Sequence, residues 1–257
     1  MWTLRATIAT AAVLISAAGP AGAADVRVLS VGAVQSAVKS LAAEFGKESG
    51  HQVILTISSP AVATQKLKDG EVFDAVIVSE PAMDRLDQQG VVNPESRVRL
   101  ARTGMGVAVR QGAPVPDLST PEAFAQALTA AKSIVYGDPT LPNQSGEKAE
   151  KILGAAGLLD QLKPKLKVVP GQAVSQDMIA KGDVEMGLYN VSEIPEGKGL
   201  AFAGAVPAPL QVNTVYEGAL MSDGSVPEAA RAFIRYLADA AARPTWVAAK
   251  LEPLADH

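Results

Sequence analysis

The sequence predicts an α/β protein with two lobes, each built on a mixed, mostly parallel sheet flanked by helices. Two observations lead to this fold class. From residue 26 to residue 90, short apolar strands alternate three times with helices, which is the pattern of a parallel sheet with right-handed crossovers. Two long extended runs, 97–110 and 207–221, then bracket a second series of strands and helices. We therefore expect the chain to cross into a second lobe and to return.

The two runs also set the expected boundaries. Residues 25–102 together with 214–257 are predicted to form lobe 1, and residues 103–213 are predicted to form lobe 2. Lobe 1 should contain strands at 26–31, 53–57 and 73–78, each followed by a helix that ends at a glycine, namely Gly50, Gly70 and Gly90. The second of these helices has a clear start, because Ser59 suits the N-cap and Pro60 the first helical position.

Lobe 2 shows the same alternation with less regular spacing. Helices are expected at 121–131, 147–156 and 172–181, and strands at 133–136, 166–169 and 184–189. A further helix, 227–241, carries an apolar face and should pack back on lobe 1.

Residues 1–24 differ from the rest of the chain and are predicted to be a signal peptide. Arg5 gives a positive start, 8–18 is apolar, and Ala21-Gly22-Ala23 fits the small-residue rule for cleavage after Ala23 or Ala24. The remaining chain has no stretch long enough to span a bilayer. We therefore expect an exported, soluble protein.

The composition narrows the location and the chemistry. The chain has no cysteine, which excludes disulfides, thiolate metal sites and a lipidated N-terminal cysteine. An exported protein without a lipid anchor is retained near the cell only by an outer membrane, so we expect the periplasm of a Gram-negative bacterium. The net charge of −4 and the absence of long runs of charge argue against a nucleic-acid partner. With two histidines, His51 and His257, a Ser-His-Asp triad or a histidine-rich metal site is not expected.

Small and polar residues recur where strands hand over to helices: Gly32-Ala33, Ser58-Ser59, Gln144-Ser145-Gly146, and Asn190 with Ser192. Each alone is more often only a helix cap than a ligand site. Four such turns at the carboxyl ends of strands in two lobes instead predict a cleft that binds an anion through neutral donors. Arg102 lies in the first extended run, where it either holds a carboxylate in the cleft or lies on the outer side of its strand.

Five stretches of the chain resemble the periplasmic substrate-binding proteins of type II ABC importers, most closely the molybdate-binding group. They are SVGAVQSAVKSLAAEFGKESG, SSPAVATQKLKDGEVFDAVIVSEPAMDRL, YGDP followed by QSGEKAEKIL, GDVEMGLYNVSEI, and PEAARAFIRYLADAAARPTW. The resemblance covers nearly the whole mature chain. It implies two α/β lobes joined by two crossing segments, a ligand closed between them, and delivery of that ligand to a membrane permease.

The ligand residues of the molybdate-binding group carry over only in part. Ser59 matches the serine of the second turn, whereas Ala33 replaces the serine of the first. Ser145 falls at the third turn, and Ala173 at a backbone-donor position that opens a later helix. The tyrosine of the family falls at Asn190, with Tyr189 beside it. The predicted ligand-binding set is Gly32, Ala33, Val34, Ser58, Ser59, Arg102, Gln144, Ser145, Gly146, Ala173, Tyr189 and Asn190.

These residues favour a solute-binding protein that captures a small anion, an organic carboxylate rather than molybdate, for an ABC importer. Two donors are altered relative to the molybdate-binding group, and a buried anion without its partners is costly. The expected protein is a monomer without cofactor or metal, and its partner is an ABC permease. Two alternatives stay open. One is a cofactor-free isomerase of small unsaturated carboxylates, with Tyr189 or Glu193 as its acid or base. The other is a sensor or receptor subunit.

Overall fold

The computed structural model describes residues 23–141, 145–195 and 197–254. The predicted signal peptide therefore lies almost entirely outside the described residues. The strands are β1 (Asp25–Val31), β2 (Gln52–Ser58), β3 (Ala75–Ser79), β4 (Val98–Thr103), β5 (Met105–Arg110), β6 (Ile134–Gly137), β7 (Leu166–Val169), β8 (Met186–Asn190), β9 (Leu200–Ala205), β10 (Thr214–Leu220) and β11 (Glu252–Pro253). The helices are α1 (Gln35–Ser49), α2 (Pro60–Lys68), α3 (Glu80–Gln88), α4 (Pro121–Ala130), α5 (Gly146–Ala155), α6 (Leu159–Leu162), α7 (Gln172–Lys181), α8 (Pro227–Ala238) and α9 (Arg243–Ala248).

The strands form two mixed sheets, as the sequence predicts. The first has the order β11-β4-β10-β3-β1-β2, and the second has the order β7-β6-β8-β5-β9. We call the six-stranded sheet and its helices lobe 1, and the five-stranded sheet and its helices lobe 2. Pairs within each βα series are parallel, whereas β4, β5, β9, β10 and β11 pair antiparallel with their neighbours. The α/β fold class with two sheets is thereby confirmed.

The first predicted crossing divides into β4 and β5 at Gly104, and these strands belong to different sheets. Gln211, in the second crossing, bonds to the same point: its Nε2 donates to Met105 O at 2.9 Å, and its Oε1 accepts from Met105 N at 2.6 Å. A Cβ on Gly104 would lie 2.7 Å from the Gln211 side chain. Because Gly104 in the first crossing has no side chain, Gln211 of the second crossing can pack against it.

The local signals in lobe 1 form the elements predicted from them. Val38, Leu41 and Phe45 of α1 are buried in the core of lobe 1. The helix ends at Gly50, which has a left-handed φ of 77°. Ser59 is the N-cap of α2, with Pro60 at its start. These turns place the carboxyl ends of β1 and β2 on the side of the lobe where the two helices begin.

Two details of the chain differ from expectation. A short 3-10 helix, Gly32–Val34, precedes α1, so Val34 lies before the α-helix rather than in it. The predicted C-terminal helix ends at Ala238, because Asp239 adopts an extended conformation and caps a new turn through Ala241 N. Within the described part of the chain, no helix has both the length and the apolar character needed to cross a bilayer.

Candidate functional site

A cleft with a volume of about 1170 Å³ lies between the lobes and is lined by residues of both. Lobe 1 contributes the turns that follow β1, β2 and β3 and the first residues of β10. Lobe 2 contributes the N-terminal turns of α5 and α7 and the end of β8. The carboxyl ends of strands in both lobes therefore face one cavity, which is where open α/β sheets bind ligands.

The wall formed by lobe 1 is lined by neutral donors. Gly32 is exposed and Ala33 is buried, and both line the cleft. Ser59 Oγ accepts from Val62 N at 3.4 Å, so its own O–H stays available as a donor. Ser58 Oγ is buried and has no hydrogen-bond partner among the described residues. A buried hydroxyl at a cleft wall without a partner is costly unless a ligand or water bonds to it.

The wall formed by lobe 2 contains a half-buried cation. Lys148, in the first turn of α5, bonds through Nζ to Thr214 Oγ1 of lobe 1 and to Asn190 Oδ1 at 3.3 Å. Both partners are neutral, and no ion pair of the described residues includes Lys148. Burial lowers the pKa of Lys148, against the opposing charges of Glu193 and Glu147. The cleft therefore holds a desolvated positive charge whose nearest partners carry no charge.

A half-buried carboxyl lies at the other end of the same amide. Asn190 Nδ2 donates to Glu193 Oε2 at 2.8 Å, so Asn190 connects Glu193 to Lys148. Burial raises the pKa of Glu193, against the hydrogen bond from Asn190 and the charge of Lys148. The backbone carbonyl of Glu193 accepts from Gln172 Nε2 at 3.2 Å and from Gln176 Nε2 at 2.8 Å. Two side chains of α7 thus fix the turn that presents this carboxyl to the cleft.

Tyr216 closes the cleft from lobe 1. Its side chain lines the cavity and is almost fully buried. Burial raises the pKa of Tyr216, and the negative charge of Glu193 acts in the same direction. The phenol is therefore neutral at physiological pH and is available as a hydrogen-bond donor.

Six of the predicted site residues are brought together in the cleft lining, namely Gly32, Ala33, Ser58, Ser59, Ser145 and Asn190. Ser145 is buried at the start of α5, and its side chain makes no capping hydrogen bond to that helix. Asn190 is buried as well. Gln144 lies outside the described residues.

The other predicted residues lie elsewhere. Val34 is fully buried in the core of lobe 1, and Tyr189 is buried in a core cluster of lobe 2. Ala173 is exposed on α7 and does not line the cavity. Gly146 packs against a strand end, because a Cβ there would lie 1.9 Å from Gly137 O. It lets α5 approach β6 but does not itself face the cavity.

Arg102 does not lie in the cleft lining, which corrects the idea that it holds a carboxylate there. It forms a two-bond ion pair with Glu252 of β11, at 2.8 Å from Nε and 2.7 Å from Nη2. The arginine side chain is 41% exposed and the glutamate side chain 61% exposed. The guanidinium therefore ties the last strand to β4 on the outside of lobe 1.

Three residues of the cleft, Lys148, Thr214 and Tyr216, were not expected from the sequence. The sequence does contain an indication of Lys148: it follows Ser145 by three residues, which places both on one face of the helix. Thr214 and Tyr216 begin β10 after the second crossing, and no local pattern marks them. Charged side chains also line the cleft at its rim: Lys68, Glu80, Arg85, Glu147 and Lys151.

Neither motif nor geometry suggests a metal centre. Among residues 23–141, 145–195 and 197–254, no group of three or more His, Cys, Asp or Glu side chains is placed to hold a metal ion. The chemistry that the site offers is thus hydrogen bonding, the Lys148 cation and the Glu193 carboxyl, with further charged side chains at the rim.

Two named proteins and one solved structure are similar to this chain over most of its length. A molybdate-binding protein, ModA of Azotobacter vinelandii, is 26% identical over 239 residues, 91% of each chain. The solved structure of the periplasmic molybdate-binding protein from that organism covers 90% of this chain and 100% of its own, with a TM-score of 0.71 and 19% identity. An aconitate isomerase from a Pseudomonas species is 33% identical over 217 residues, 82% of this chain and 81% of that protein.

The family model for bacterial extracellular solute-binding proteins matches residues 26–249. That range includes the five-stranded sheet, all of the six-stranded sheet except β11 and Asp25 of β1, both crossings and every described residue that lines the cleft. The chain belongs to the family of bacterial extracellular solute-binding proteins.

Proposed function

We propose that this protein is a periplasmic solute-binding protein that captures a small organic anion, a carboxylate, between its lobes for an ABC importer. The observation that supports it is Lys148, a half-buried cation in the cleft with Thr214 and Asn190, both neutral, as its partners. A buried charge is costly unless it is paired. An anionic ligand supplies the missing partner, and donors such as the Ser58 hydroxyl complete its coordination.

The shape of the site favours an organic anion over molybdate. If each oxygen occupies the roughly 30 Å³ of a water molecule, a four-oxygen anion fills only about 120 Å³. The cleft has a volume of about 1170 Å³. Ala33 supplies no hydroxyl at the first turn, and Asn190 is engaged by Lys148 and Glu193. A larger ligand whose carboxylate reaches Lys148 fills more of the cleft volume than a compact oxyanion does.

Transport rather than sensing is the role that the family favours. We expect export through the signal peptide of residues 1–24, a periplasmic location, a monomeric state and docking to an inner-membrane permease. A sensor subunit has the same cleft, so the two roles separate by genetic context. A permease gene and an ATPase gene beside this one favour import.

A ligand screen tests the proposal. The mature protein is melted with molybdate, sulfate and mono- to tricarboxylates, and hits are titrated by calorimetry. A ligand at 100 times its Kd stabilises by about 2.7 kcal/mol, which is a clear thermal shift. We expect carboxylates to stabilise and molybdate to bind at least tenfold more weakly than the best carboxylate. Nanomolar molybdate binding, or no response to any carboxylate, contradicts the proposal.

A second candidate is an isomerase of unsaturated carboxylates, favoured by the similarity to a Pseudomonas aconitate isomerase. Moving a double bond along a carbon chain requires a base that removes one proton and an acid that returns one elsewhere. Burial lowers the pKa of Lys148 and raises that of Glu193. These two groups, and not the core residue Tyr189, have the position for the two roles.

The isomerase candidate has a direct test. The protein is incubated with cis-aconitate or trans-aconitate in D₂O and followed by proton NMR. Interconversion with deuterium incorporation, lost in Glu193→Gln, supports catalysis. Binding of either compound without interconversion assigns the cleft to capture alone.

A further inference from the structure

We infer that Glu193 couples anion binding in the cleft to uptake of one proton, so that the site takes a carboxylate ligand together with that proton. The inference rests on the proposed anion cleft and goes beyond it, because it names the residue that determines which charge state is bound. It starts from the geometry of three side chains, Lys148, Asn190 and Glu193.

Asn190 separates the two charged groups and bonds to both. Its Oδ1 accepts from Lys148 Nζ at 3.3 Å, and its Nδ2 donates to Glu193 Oε2 at 2.8 Å. An anion that contacts Lys148 therefore binds a cation that this one amide separates from the Glu193 carboxyl. Two negative charges so close in a desolvated site cannot both persist at low cost, and a proton on the weaker acid removes the repulsion.

The groups around Glu193 offer little else to offset its charge. Lys148 is the facing cation, whereas Tyr216 from β10 is neutral and Glu147 on α5 is negative. From α7, Gln172 and Gln176 bond to the backbone carbonyl of Glu193 and carry no charge. The 3-10 helix Gly32–Val34, which contacts the turn of Glu193, has no ionisable side chain. The remaining charged residues of the cleft are Lys68, Glu80, Arg85 and Lys151.

Ligand binding acts on Glu193 in one direction. Burial already raises the pKa of Glu193, and Lys148 is one of the groups that oppose this rise. A bound carboxylate satisfies Lys148 and adds a negative charge, so both changes favour the protonated form. The proton comes from solvent, and the neutral carboxyl can then donate its O–H to the ligand. Affinity consequently falls as pH rises through the range in which free Glu193 is ionised.

Calorimetry with fumarate as the probe tests the inference, because both carboxyl groups of this dicarboxylate stay ionised from pH 6 to pH 8, so a proton taken up on binding goes to the protein. The wild type, Glu193→Gln and the control Glu122→Gln are titrated at pH 6, 7 and 8, in two buffers of different ionisation enthalpy. Glu122 is exposed at the start of α4 and does not line the cleft. The dependence of the heat on the buffer gives the number of protons taken up.

We expect the wild type and Glu122→Gln to take up between about 0.5 and 1 proton per ligand, with a Kd that weakens up to tenfold per pH unit, the limit set by one linked proton. Glu193→Gln mimics the neutral carboxyl, so it should take up none and keep one Kd from pH 6 to pH 8. No uptake by the wild type, or uptake that persists in Glu193→Gln, overturns the inference but leaves anion capture intact.

Two further results are decisive. If Glu193→Gln melts like the wild type but binds more than a hundredfold more weakly at pH 6, an ionised carboxylate contacts the ligand and the inference is wrong. If the wild type binds neither the probe nor any carboxylate of the screen, the proposed function fails and the inference fails with it. The proton count of the wild type decides the matter even where the variant folds poorly.

Discussion

Replacing Lys148 by methionine should separate ligand binding from folding. Methionine keeps the length of the apolar stem while removing the charge and the bonds to Thr214 and Asn190. Losing one side of a buried charge pair costs about 2 to 5 kcal/mol of binding. At about 1.4 kcal/mol per tenfold, the Kd of the best carboxylate should rise at least about 30-fold.

The same substitution should not cost comparable folding energy in the absence of ligand. Exchanging a buried ionic group for an apolar one of similar volume is often neutral or stabilising by about 1 to 4 kcal/mol. Two lost hydrogen bonds at about 1 kcal/mol each oppose that gain. We expect the free energy of unfolding of Lys148→Met to lie within about 2 kcal/mol of the wild-type value, as measured by urea denaturation.

Lys151 provides the matched control, because it lies on the same helix, lines the same cleft and is exposed. Lys151→Met makes the same change in charge and should alter the Kd less than about threefold, as befits an exposed charge. Equal losses of affinity in the two variants would show that the summed positive charge of the cleft determines affinity, and not Lys148 in particular. A loss of 3 to 5 kcal/mol of stability in Lys148→Met would show that the lysine holds the lobes together structurally.

Three other substitutions probe the remaining features. Arg102→Ala should leave ligand affinity within about twofold and cost no more than about 0.5 kcal/mol of stability, because its ion pair with Glu252 is exposed. A rise of the Kd above about tenfold, measured by calorimetry, would show that Arg102 contributes to ligand binding. Gly146→Ala should lower the melting temperature clearly, since its Cβ would lie 1.9 Å from Gly137 O, whereas Gly154→Ala on the same helix meets nothing within 4 Å and should be neutral or stabilising by up to about 1 kcal/mol. Burial by itself raises the pKa of Asp74, but hydrogen bonds from Arg27 N, from the Ser225 side chain and from the backbone N–H groups of Val226 and Ser225 lower it on balance. The contribution of Asp74 to stability is therefore present at neutral pH and is lost as the pH falls through the lowered pKa. Urea denaturation at several pH values should show a smaller loss of stability in acid for Asp74→Asn than for the wild type, and an equal loss would contradict this assignment.

The fold was predictable because its signals are local. Strand, turn and helix in lobe 1 follow one another in sequence, and Ser59 with Pro60, or Gly50 after Phe45, specify their structure through neighbours a few residues away. The change of sheets at Gly104 was predictable as a crossing for the same reason. Its packing against Gln211 was not, because that contact joins residues more than a hundred positions apart.

The candidate site was predictable only where it consists of turns. Ser58, Ser59 and Ser145 follow from the rule that loops at strand ends face the cleft. Arg102 and Lys148 show where this rule stops. An arginine in an extended run lies on either face of a strand, and the partner that decides the face, Glu252, is 150 residues away. Lys148 is half-buried, and one of its partners, Thr214, is brought against it when β10 returns from the second crossing.

Lys148 also suggests how a ligand could act on both lobes at once. The lysine belongs to α5 of lobe 2, yet it bonds to Thr214, the first residue of β10 in lobe 1. An ammonium group has three donors, and the described structure shows bonds to Thr214 and Asn190. A carboxylate that accepts a further bond therefore adds to the contact between the lobes without displacing Thr214. We therefore expect a carboxylate ligand to strengthen the contact between the lobes, because the nitrogen that would bind it already bonds to a residue of each lobe.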